Sequence, residues 1–163
     1  MNDTQKLVST LQTIPWFQEL SQEHFDKLVD ICELVEYDAG EELYRQGDKQ
    51  EYLYIVITGR VAVEIAVPGR GRQRINTAEA MDVLGWSSAT PVVRLRTSGA
   101  VTVLPTQLVR MNAKQLRQLC EENHSLGYVV MKRLANVVAS SLLVTRLQLL
   151  DMFAHDQEEG IHD

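Results

Sequence analysis

Cysteine is scarce in this chain. Cys32 and Cys120 stand far apart and form no CxxC pair. That excludes a disulfide scaffold, a cysteine-held zinc site and an iron–sulfur cluster. It points to a reducing, cytoplasmic compartment, with both thiols serving as small core residues. Histidine is equally unhelpful to a metal. His24, His124, His155 and His162 fall in helix-like stretches, at a helix start or in the tail. A metal-dependent jelly-roll enzyme needs its histidines on strands. No metal, redox cofactor or catalytic activity is therefore expected. The first ten residues, MNDTQKLVST, lack the basic start and apolar run of an export signal. No membrane span is expected either, because Lys132, Arg133 and Arg146 interrupt the most apolar late stretch.

Acid is missing from one long interval. None occurs between Asp82 and Glu121, although the chain of 163 residues carries a net charge of −6. Between Ile65 and Cys120 stand eight basic residues (Arg70, Arg72, Arg74, Arg94, Arg96, Arg110, Lys114 and Arg117) against Glu79 and Asp82. That segment thus carries +6 and the rest −12. The overall acidity speaks against nucleic acid as a partner. The basic middle can attract a small anion, or it can be a set of solvated strand faces.

What is present reads in three blocks. Residues 1–33 are helical. Leu7, Leu11 and Ile14 share one face, Pro15 ends that helix, and Ser21 is a suitable cap for the next. Residues 34–112 have strand chemistry. Tyr52–Thr58 is a continuous β-prone run, and Val61, Val63, Ile65 and Val67 alternate with Arg60, Ala62, Glu64 and Ala66. Gly59 between them predicts a tight hairpin. Short strands separated by turn residues predict an antiparallel sandwich or barrel, giving a mainly-β α+β fold flanked by helices. Residues 113–153 are helical again. Asn112 caps the first helix, with Gln115 placed as in a capping box.

Ser125–Phe153 holds no proline and predicts a helix of roughly 40 Å. It carries two apolar stripes. One is Val130, Leu134, Val137, Ser141 and Val144; the other is Met131, Val138, Leu142, Leu149 and Met152. A helix lying on its own domain needs one stripe. Two predict a homodimer, with Val137 and Val144 placed in its seam. Residues 154–163 are acidic and predict a disordered tail.

The stretch RQGDKQEYLYIVITGRVAVEI carries a family resemblance. Gly47, Asp48, Tyr54, Ile55, Gly59 and Val61 follow the turn–strand–glycine–strand pattern of the cyclic nucleotide-binding domain. With the order of elements, the chain resembles the cAMP receptor protein and its Crp–Fnr relatives from about Pro15 to Met152. That resemblance implies an antiparallel jelly-roll or β-roll, with a phosphate-binding cassette in the loop 82–100. Gly85 matches its glycine, Arg96 its phosphate-binding arginine and Thr97 the hydroxyl beside it. Ser87, Ser88 and Arg94 lie in the same loop. Trp86 stands where the family has the glutamate that holds the ribose hydroxyl. An indole has one donor and no acceptor, so cyclic nucleotides are expected to bind weakly. Trp86 is either a core or plugging aromatic or a stacking surface; Arg96 is either paired with a carboxylate or free for an anion. Ser140, Ser141 and Thr145 are the candidates for contacts to a ligand base from the long helix. The expected function is a regulatory module for a cyclic nucleotide or other phosphate-containing ligand. The alternative is a ligand-free dimerisation or interaction module. The family's transcription factors continue into a helix-turn-helix after the long helix; this chain stops a few residues past it. Direct DNA binding is thus not expected, and regulation would run through the dimer or an unidentified protein partner.

Overall fold

A computed structural model of the chain describes residues 2–159. Helix α1, Asp3–Thr13, is closed at its start by a capping box between Asn2 and Gln5. Helix α2, Gln22–Val29, is capped by Ser21. Eight strands follow: β1 Cys32–Tyr37, β2 Glu42–Tyr44, β3 Tyr52–Thr58, β4 Val61–Val67, β5 Gly71–Ala78, β6 Val83–Leu84, β7 Gly99–Thr102 and β8 Thr106–Asn112. The strands form two antiparallel sheets, ordered β1-β8-β3-β6 and β2-β7-β4-β5. Helices α3, Ala113–Glu122, and α4, His124–Glu159, complete the chain. The side chain of Asn112 accepts from the amide of Gln115, which is one half of the expected capping box.

The first sheet is buried on both faces, and the residue pattern shows why. On β3, Leu53 and Ile55 point to the helices while Tyr54 and Val56 point into the roll. On β8, Val109 and Met111 face the helices and Leu108 faces the roll. A strand covered on both sides has no polar face to alternate with. β4, by contrast, sends Val61 and Val63 inward and leaves Glu64 and Ala66 less covered.

The expected hairpin at Gly59 does not form. β3 pairs with β8 and β6, whereas β4 pairs with β5 and β7. The turn carries the chain from one sheet to the other. Pro105 does the same in reverse between β7 and β8. The two crossovers touch: a Cβ on Gly59, at φ +96°, would lie 2.5 Å from the Pro105 carbonyl oxygen. Both edges of β3 are taken by β8 and β6, so its successor pairs in the other sheet.

Two expectations for α4 are corrected. Residues 154–159 are helical, not disordered, because Gln157, Glu158 and Glu159 are good helix formers and the first glycine after them is Gly160. Residues 160–163 lie outside the described residues. The three charges also fail to interrupt the apolar stretch. Between Leu134 and Leu150 the one charge is Arg146, so an 18-residue window reaches a mean hydropathy of 1.4, long and apolar enough to cross a membrane by composition alone. The start of the helix is nonetheless anchored in the domain core through Leu126, Val130 and Leu134. Gly127 permits its close crossing of α3 at Cys120.

Candidate ligand site

β6 delivers the chain to Gly85, which adopts the left-handed conformation at φ +67°. A Cβ there would sit 2.3 Å from Arg96 Nη1, so the glycine is required both by the turn and by the arginine lying across it. One turn of 3₁₀-helix, Trp86–Ala89, follows. The Ser88 hydroxyl donates to the Gly85 carbonyl at 2.6 Å and is buried. Arg117 of α3 donates to the Ser88 carbonyl at 2.5 Å, tying this turn to the helices. Trp86 is half-buried and packs against the helical core. That is the core-aromatic reading of this residue.

Arg96 is 5% exposed. Its guanidinium stacks on the Tyr44 ring, 4.0 Å from the centroid. Nη2 donates to the Tyr52 carbonyl at 2.5 Å, and Nη1 to Gln50 Oε1 at 3.3 Å. Nε is buried without a partner. No carboxylate pairs with it among the described residues, so the ion-pair reading does not hold. Burial pulls its pKa down, and Tyr44, Tyr54, Asp48 and Glu51 partly offset this. Tyr44 stacks in turn on Tyr54, and burial pushes the Tyr54 phenol up to about 12. A buried cation with neutral partners and a spare donor is costly unless an anion can reach it.

The remaining predicted residues divide. Arg94 and Thr97 are exposed on either side of the buried Arg96. Ser140 and Ser141 line a cleft of about 380 Å³ with Asn76, Val83, Leu84 and Val137, between α4 and the roll. Because Val83 and Leu84 lead directly into Gly85, this cleft adjoins the loop. Thr145 is not in the cleft's lining; its hydroxyl donates to the Ser141 carbonyl. Val137 and Val144, expected in a seam, line the same cleft and so face the chain's own roll, with Val144 still exposed. Among the described residues no group of three or more His, Cys, Asp or Glu is placed to hold a metal.

Gln50 was not foreseen. It stands in the turn before β3, and nothing local in the sequence marks it. In the folded chain the 47–50 segment runs beside 93–96: Arg96 N donates to the Asp48 carbonyl, Gly47 N donates to the Arg96 carbonyl, and Lys49 bridges to Leu95. Tyr44 and Tyr52, which hold Arg96, were missed for the same reason.

The model of the cyclic nucleotide-binding domain matches residues 34–123, more than half of the chain. The chain belongs to the cyclic nucleotide-binding domain family. A cyclic nucleotide-binding domain from Methylobacillus flagellatus superposes with a TM-score of 0.76 at 23% identity, covering 91% of this chain and 83% of that one. The catabolite activator protein of Thermus thermophilus gives 0.67 at 24% identity, over 86% of this chain and 63% of that one. These likenesses show the β-roll fold. The cGMP-dependent protein kinase egl-4 of Caenorhabditis elegans is 26% identical over 137 residues, which cover 82% of this chain and 17% of the kinase. This chain therefore corresponds to a small part of that relative.

Proposed function

We propose that this cyclic nucleotide-binding domain is a non-catalytic, metal-free regulatory module that takes a small anionic ligand and dimerises through α4. The observation that carries the ligand half is Arg96, buried, without a counter-ion and with Nε unpartnered. An arginine fork suits phosphate oxygens. The cleft that reaches the loop at Val83 and Leu84, with Ser140 and Ser141 in its lining, supports a ligand that extends beyond its phosphate. Relatives named for cyclic nucleotides make these the first ligands to test. Trp86 sets the strength. With no acceptor at that position, a buried ribose hydroxyl goes unpaired, a loss of about 1–3 kcal/mol or roughly tenfold to hundredfold in affinity. Calorimetry with cAMP and cGMP on the parent and on Arg96→Ala is the test. Weak binding lost in the variant is expected; low-micromolar or tighter binding by the parent contradicts this account of Trp86.

The dimer half rests on α4. Tyr128, Met131, Ala135, Val138, Leu142, Thr145, Leu149 and Met152 recur at alternating spacings of three and four. That is the repeat of a coiled-coil seam. Of these, Tyr128, Met131, Val138, Leu142, Leu149 and Met152 are large apolar side chains exposed in the single chain. Pairing of two helices suits this pattern better than a bilayer does, since the opposite side is held to the roll. Gln148 Nε2 donates to the Ile75 carbonyl at 2.9 Å. We place the module in the cytoplasm, without direct DNA binding.

One observation favours the ligand-free interaction module instead. Trp86 packs into the helical core and Arg96 is already engaged by Tyr44, Tyr52 and Gln50. Calorimetry separates the two readings, because that module binds no anion at any concentration tested.

A further inference from the structure

We infer that Gln50 is an internal stand-in for the ligand's anion, holding the cassette loop closed until a real anion displaces it. The inference rests on the reading of Gly85–Thr97 as an anion site and adds the device that regulates it.

Gln50 Oε1 accepts from the Ser87 hydroxyl at 2.8 Å and from Arg96 Nη1 at 3.3 Å. These donors come from the two ends of the loop. They are also the kind of donors that an oxyanion would recruit there: a hydroxyl and a guanidinium. The other end of the same amide, Nε2, donates to the carbonyls of Val93 at 3.0 Å and Leu95 at 3.4 Å. The orientation of the amide is set by its neighbours. A guanidinium has donors only, so the atom facing it must be the oxygen; the carbonyls of Val93 and Leu95 require the nitrogen on the other side.

One neutral side chain therefore clasps both ends of the loop. The clasp is incomplete, because a carboxamide oxygen carries no full charge and cannot answer a guanidinium as an anion does. Arg96 Nε remains buried and unpartnered. A phosphate would accept from Arg96 and Ser87 together, but only after Gln50 leaves. The site is thus ordered without a ligand, and its affinity is lowered by competition from within.

The test uses inorganic phosphate as the probe, titrated by calorimetry into the full chain. Gln50→Ala removes the competitor, and its affinity for phosphate should exceed the parent's by about tenfold, as expected when an anion no longer competes with one or two hydrogen bonds. Gln50→Glu supplies a charged competitor and should bind less phosphate than the parent does. It keeps the test alive if the alanine variant folds poorly. Equal affinity in parent and Gln50→Ala, or undiminished affinity in Gln50→Glu, overturns the proposal. Phosphate binding by the parent itself tests the underlying reading separately. Binding by Gln50→Ala alone would sustain the stand-in while showing that the parent binds no phosphate. Binding by neither overturns the stand-in. Binding by both with equal strength removes the stand-in and keeps the site.

Discussion

Between Gly85 and Thr97 the hydroxyls of Ser87, Ser88 and Thr90 and both terminal nitrogens of Arg96 find acceptors within the chain, leaving Arg96 Nε without one. Between Leu142 and Phe153 eight large apolar side chains are exposed. The loop where a ligand is expected is nearly complete on its own. The helix where a partner is expected is not. Polar groups can be met by any neighbour with the right atom, so a site can be closed by a single glutamine. Apolar surface is removed from water only by area, and the roll covers little of the outer half of α4.

The comparison breaks most sharply at the helix. Val138→Glu with Leu142→Glu places like charges in the proposed seam. Such juxtaposition costs several kcal/mol, so the double variant should sediment as a monomer where the parent is a dimer. Val137→Glu with Val144→Glu alters the face toward the roll. It should lower the melting temperature more than it weakens association. If the two pairs act in the opposite way, the assignment of the stripes is wrong.

A smaller effect sharpens the loop side. Gly85→Ala forces an L-residue into a left-handed conformation, at about 1–2 kcal/mol, and its Cβ would meet Arg96 Nη1. The variant should lose at least that much stability in denaturant unfolding, and Arg96 should be displaced. Unchanged stability would mean that the arginine does not lie over the glycine.

Much of this architecture was legible in the sequence, for physical reasons that can be named. β3 and β4 begin and end where their residue patterns change, because pattern and turn residues act locally. Ser21 and Asn112 cap their helices through contacts three residues away. The pairing of strands was not legible at Gly59, since nothing local says which sheet the next strand joins. The cassette positions were found through family resemblance. Their contacts were not, because Gln50 meets Ser87 and Arg96 across 37 and 46 residues. The direction of the two helix stripes was open for a similar reason. Both are apolar, and only the packed roll reveals which one it covers.

The measurement that bears most directly on both regions is amide hydrogen exchange on the ligand-free protein at two concentrations, one well below and one well above the dimer's dissociation constant. The account predicts slow exchange in the 47–50 and 93–96 segments at both concentrations, because Gln50 and the paired backbone hold the loop shut without a ligand. It predicts that Leu142–Phe153 exchanges quickly in the dilute sample and slowly in the concentrated one. A loop that exchanges freely until phosphate or a cyclic nucleotide is added, or a helix indifferent to concentration, would contradict it.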